Sequence, residues 1–190
     1  MNTNESKLNF TELFKQITPS EINDDVFTLT GEIFPVITAG NVENYNSMIA
    51  SGGGMGVAFK KPVTWCIFQS SRYTLELIEK GNGYTLSYFP DEYKEKAMFF
   101  GSETGKNGNK MKEHELTGIE MPSGNMSFLE ARLIIECKLT QITMPKIDDF
   151  YSPEAKSYLS EVYKDEAERR KYVFGEITHV WVKLNKGELE

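Results

Sequence analysis

Four glycines fall within fourteen residues in the run Asn44-Tyr45-Asn46-Ser47-Met48-Ile49-Ala50-Ser51-Gly52-Gly53-Gly54-Met55-Gly56-Val57. Glycine permits positive φ and lets another group approach the backbone closely, so main-chain N–H groups here can turn towards an anion or a flat polar ring. Close behind comes Pro62-Val63-Thr64-Trp65-Cys66-Ile67-Phe68-Gln69-Ser70-Ser71-Arg72-Tyr73-Thr74, an apolar strand that ends in hydroxyls and an arginine just before a helical pattern. A guanidinium beside a helix start is suited to phosphate oxygens. A glycine-rich turn followed by an arginine-tipped strand therefore reads as a ligand corner.

Two nucleotide-binding loops are excluded. Gly-x-Gly-x-x-Gly would need glycine where Val57 or Phe59 stands. The run Gly101-Ser102-Glu103-Thr104-Gly105-Lys106-Asn107 is one residue short of a P-loop and has Asn107 at the magnesium-binding Ser or Thr position.

The rest of the chain alternates short strand-like runs with few helices. Residues 8 to 17 have near-helical apolar spacing, and 1–24 reads as an N-terminal helical extension to a domain spanning 25–190. Val26 to Ala39 reads as strand, then comes the glycine-rich turn, then a strand over Val63 to Phe68. Tyr73 to Lys80 reads as a helix stopped by Gly81-Asn82-Gly83, Tyr84 to Phe89 as strand, and Asp91 to Phe100 as helix. A long loop is expected over 101 to 126 and a long strand over Phe128 to Leu139. Residues 141–171 form a polar excursion whose charged run, 156 to 171, is most simply a solvated helix face, and Tyr172 to Lys183 closes the chain as a strand. Without β-α-β alternation, the fold class is mainly β with a few helices, an antiparallel barrel.

The formal charge of −7, with only four arginines and no basic stripe interleaved with aromatics, argues against nucleic acid and anionic membranes. The first residues lack an apolar leader and no run reaches membrane-spanning length, so a cytoplasmic protein is expected. Cys66 and Cys137 sit in apolar runs and read as reduced core thiols. Two histidines, His114 and His179, are too few for a histidine-rich metal site, and His179 reads as a packed or hydrogen-bonded residue.

The motifs Ile37-Thr38-Ala39-Gly40, Tyr45 to Ser51, Ser71-Arg72-Tyr73-Thr74, Phe100-Gly101-Ser102, Glu130-Ala131-Arg132-Leu133 and Gly175-Glu176-Ile177, in this order and spacing, resemble the flavin reductase-like family. The resemblance implies an FMN-binding split β-barrel, Greek-key-like in its connections. It places the flavin along Asn46, Ser47, Met48, Ile49, Ala50, Ser51 and Gly52, its phosphate at Ser71, Arg72 and Thr74, and a second anion-binding segment at Gly101, Ser102 and Lys106. Family members often carry Thr where Ile49 stands and Trp where Gly53 stands. The branch it looks closest to holds flavin reductases, which use NADH or NADPH, and flavoredoxin-type electron carriers; a barrel that has lost its flavin is the third reading. No catalytic triad or acid–base dyad is visible, which suits chemistry carried by a cofactor. The resemblance also implies a homodimer and a small-molecule or protein electron acceptor.

Overall fold

A computed structural model of the chain describes residues 9–102, 111 and 115–185. Seven strands make its framework: β2 (Val36–Asn41), β3 (Asn44–Ile49), β4 (Gly53–Ala58), β5 (Lys61–Gln69), β6 (Gly83–Tyr88), β9 (Leu133–Thr143) and β10 (Arg170–Lys183). They form one antiparallel sheet in the order β3-β2-β6-β9-β10-β5-β4. A further strand, β1 (Phe14–Ile17), pairs with the far end of β10. The short strands β7 (Gly118–Glu120) and β8 (Met126–Phe128) form a separate hairpin.

The sheet curls but does not close. Its two edges, β3 and β4, are successive in the chain, joined only by Ala50, Ser51 and Gly52. Hydrogen bonds hold this corner to both halves: the Ala50 N–H donates to the Pro35 carbonyl at 3.4 Å, and the Ile67 N–H donates to the Gly52 carbonyl at 3.0 Å. Register shifts between β9 and β10 at Phe174/Gly175 and Ile177/His179 bend the longest strand pair, as bulges do.

Alternation along the strands builds two apolar layers. Ile37, Phe68, Tyr84, Leu86, Ile135 and Val173 fill the first, into which helix α3 (Tyr73–Gly81) sinks Leu75, Leu77 and Ile78. Phe10, Phe14, Phe89, Phe100, Phe128 and Trp181 make the second, covered by helix α4 (Lys94–Ser102). Helix α5 (Pro153–Val162) lies in the excursion between β9 and β10.

Several elements differ from the expectation. The helical N-terminal reading holds for a single turn, α1 (Phe10–Leu13), after which the chain turns into β1 and buries Phe14 against β10. Residues 26 to 33 are helical, α2 (Val26–Thr28) running into a π-type turn, because Asp25 caps the Thr28 N–H at 2.8 Å. The glycine-rich run is no loose turn; it is two strands with a corner between them. Helix α3 stops within Gly81-Asn82-Gly83 as expected, with Asn82 taking the left-handed cap at φ 60°. Among the described residues, no helix is long and apolar enough to cross a membrane.

Candidate functional site

A cavity of about 360 Å³ opens where the β3–β4 corner meets the ends of β5 and β10. Its size is at the lower end of the range for small-molecule sites. The corner contributes Met48, Ile49, Ser51 and Gly52; β5 contributes Ile67 and Gln69; the start of α3 contributes Arg72. Arg170 and Tyr172 come from β10, and the excursion closes the remaining side with Phe150, Ala155, Tyr158 and Leu159.

Strand pairing explains how these side chains converge. Tyr172 stands opposite Ile67 and Arg170 opposite Gln69, so one face of the β5–β10 pair presents an apolar step and then a polar one. Arg170 is held in place by Glu168, donating to its carbonyl at 3.0 Å with the carboxylate 3.6 Å away. Arg72 has no ion-pair partner among the described residues. It occupies the N-cap of α3 without a side-chain cap bond; its carbonyl accepts from the Leu75 N–H at 3.0 Å, while the Tyr73 and Thr74 N–H groups have no acceptor among the described residues. At the corner, the Ser51 and Gly52 N–H groups have no acceptor among the described residues. The arrangement is an apolar slot with amide donors along one edge and a free cation at one end. It suits a planar ring with an anionic tail.

The residues expected at the site fall at different places. Met48, Ile49, Ser51, Gly52 and Arg72 line the cavity. Asn46, Ser47, Ala50 and Thr74 are buried behind it: the Asn46 amide donates to the Thr74 hydroxyl at 2.7 Å, and the Ser47 and Thr38 hydroxyls share a bond of 2.8 Å. Ser71 does not line the cavity; its N–H donates to the Ala167 carbonyl at 3.3 Å. Gly101, near the end of α4, packs on Ile49, since a Cβ there would meet the Ile49 Cδ1 at 3.4 Å; Ser102 ends the same helix. Lys106 lies outside the described residues, as do Glu103 and His114.

At Gly53 the constraint is steric. A Cβ there would stand 2.3 Å from the Trp65 carbonyl oxygen, so the strand backbones meet too closely for any side chain. The neighbouring Gly54 is covered by the Trp65 indole, 2.9 Å from where its Cβ would be. His179 does not line the cavity; its Nδ1 is 3.2 Å from the buried Glu136 carboxylate, and its ring stacks on Trp181. Cys66 and Cys137 are free, buried thiols, as expected.

Sequence reasoning missed Ile67, Gln69, Arg170, Tyr172 and the whole excursion wall. The spacing of Ala155, Tyr158 and Leu159, three and four residues apart, was the available signal, since it places them on one helix face.

An open antiparallel barrel with a ring-and-anion cavity at its split defines the class of protein. Residues 33–189 match the flavin reductase like domain, and the chain belongs to that family. Three solved structures show the same fold. An FMN-binding protein from Thermus thermophilus with bound p-hydroxybenzaldehyde has a TM-score of 0.61 at 15% identity, covering 88% of this chain and 81% of its own. Flavoredoxin of Desulfovibrio vulgaris (Miyazaki F) has a TM-score of 0.61 at 17% identity, covering 90% and 78%. An NADH:FAD oxidoreductase from Streptomyces globisporus C-1027 has a TM-score of 0.57 at 12% identity, covering 80% and 74%. No curated protein matches the chain.

Proposed function

We propose that this protein is an FMN-binding oxidoreductase, with the flavin in the corner cavity and NADH or NADPH as its electron donor. The observation that carries the reading is the pairing of an ion-pair-free Arg72 at an uncapped helix start with the free N–H groups of Ser51 and Gly52 on one cavity wall. When bound, FMN supplies the redox chemistry, taking two electrons and a proton as hydride from the nicotinamide and passing electrons to an acceptor.

Each wall then has a task. Arg72, with the Tyr73 and Thr74 N–H groups at the start of α3, would hold the phosphate through charge-assisted bonds. The Ser51 and Gly52 N–H groups would hold the ring's polar edge, where fixed donors would stabilise negative charge that develops on reduction. Met48, Ile67 and Tyr172 supply apolar surface, and Gln69 and Arg170 a second polar edge. The buried Asn46–Thr74 bond fixes the corner strand against α3, which sets where Arg72 stands relative to Ser51. We further propose a homodimer. Support comes from the half-buried aromatic pair of Trp65 and Phe174, opposite one another on β5 and β10, and from Val57 and Phe59, 81% and 60% exposed on the adjoining hairpin.

The test is anaerobic addition of NADH or NADPH to FMN-reconstituted protein. Bleaching of the oxidised-flavin absorption is the result expected of a reductase. Flavin that is retained but reduced only by dithionite or a protein partner would instead place the chain with flavoredoxin-type carriers, and protein that takes up no FMN would end the flavin reading.

A further inference from the structure

Helix α5 stands over the cavity in an unusual way. It supplies Ala155, Tyr158 and Leu159 to the wall, yet only Leu159 is fully buried, at 4% exposure. Its bonds stay within its own segment: Ser152 caps the Ala155 N–H, Ser160 donates to the Lys156 carbonyl, and Lys164 pairs with Glu161. Among the described residues, no hydrogen bond joins Pro153–Val162 to a strand. The segment after the helix, by contrast, is firmly fixed. The Ser70 N–H donates to the Arg169 carbonyl at 2.8 Å, the Ser70 hydroxyl to the Glu166 carbonyl at 2.7 Å, and the Gln69 amide to the Glu168 carboxylate. Tyr163 adds a bond from its hydroxyl to the Arg170 carbonyl at 3.3 Å. The helix is thus a roof pinned at its C-terminal foot and seated by one leucine.

Tyr158 is 58% exposed while lining the cavity, which puts it at the mouth. A cavity of about 360 Å³ is small for a ligand site, so a second ring beneath α5 would crowd the first. Tyr158 stands where a reactant would approach the ring.

We infer that Tyr158, carried on α5, is the residue that determines how readily molecules reach the bound ring, holding reactants back, a long dinucleotide most of all, until the roof lifts. This rests on flavin occupying the cavity. Contact between a reactant and the ring is then limited by the roof rather than by the amide donors of the corner.

The experiment is iodide quenching of FMN fluorescence in reconstituted protein, compared between the parent, Tyr158→Ala and Leu159→Ala. Bound FMN in the parent is expected to be shielded, and either substitution to raise the quenching constant by about threefold or more. Alongside, the ratio of the reduction rate by NADH to that by dithionite should rise by a similar factor in Tyr158→Ala. Unchanged quenching and an unchanged ratio in both variants, with FMN bound, would overturn the role of Tyr158 and leave the flavin reading standing. Parent protein that binds no FMN would overturn both.

Discussion

The side-chain amide of Asn46 donates to the hydroxyl of Thr74 at 2.7 Å, in a buried bond that spans 28 positions of sequence. It ties β3 to the first turn of α3, and so couples the corner strand to the helix whose N-cap is Arg72. Thr74→Val keeps the shape and removes the acceptor, leaving the Asn46 amide with only a longer contact to the Ser47 carbonyl at 3.4 Å. A loss of about 1–3 kcal/mol is expected, the cost of stranding a buried donor, read by urea unfolding. A change well below that would mean the bond does not hold the corner.

Gly53→Ala tests the close approach of β4 to β5. The new Cβ would fall 2.3 Å from the Trp65 carbonyl oxygen, a backbone atom with no rotamer to escape into. Destabilisation of about 1–3 kcal/mol is expected, as for other overpacked sites. Gly56→Ala is the control, since a Cβ there has open space around it, and its unfolding midpoint should lie much nearer the parent's.

Burial pushes the Cys137 thiol up to about 12 and raises that of Cys66 further. Neither should react with a thiol reagent at pH 8 in the native protein, and both should react once the chain is unfolded. An unfolded thiol ionises near about 8.5, so from there upward the unfolded chain releases protons that the folded one keeps. The stability contribution is complete below about pH 8.5 and is lost as pH climbs towards about 12. Denaturation midpoints measured from about pH 8 to 11 should fall steadily; a flat profile would contradict this burial.

The sequence made some of this molecule legible and hid the rest for definable reasons. Strand β5, helix α3 and strand β6 were readable because their apolar periodicity matches the layer they bury. Residues 26 to 33 misled because Val26, Phe27 and Thr28 favour strands, whereas Asp25 caps a helical turn there. The glycine run lacks strand propensity altogether; β4 exists because β5 supplies a partner and the Trp65 indole covers Gly54. Its hairpin turns through Phe59 and Lys60, with φ 54° and 59°, where a sequence rule would look for Asn-Gly.

At the cavity, Ser51, Gly52 and Arg72 are legible as lining residues because glycine, hydroxyl and arginine in one run suit a ligand. Asn46, Ser47 and Thr74 carry the same chemistry but spend it on one another and on Thr38, a pairing visible only across strands. Arg170 and the α5 wall come from the polar excursion, whose charge concealed a face of Ala155, Tyr158 and Leu159.

The most direct test of the central claim compares FMN with riboflavin, which has the same ring and no phosphate, by fluorescence titration of apoprotein with and without Arg72→Ala. Loss of charge-assisted bonds worth about 1.5–3 kcal/mol corresponds to about ten- to a hundredfold in affinity. The parent should therefore bind FMN at least about tenfold more tightly than riboflavin, and Arg72→Ala should narrow that gap by about tenfold or more while its unfolding midpoint stays close to the parent's. Equal affinity for the two ligands in the parent, or an FMN preference undiminished in Arg72→Ala, would contradict it.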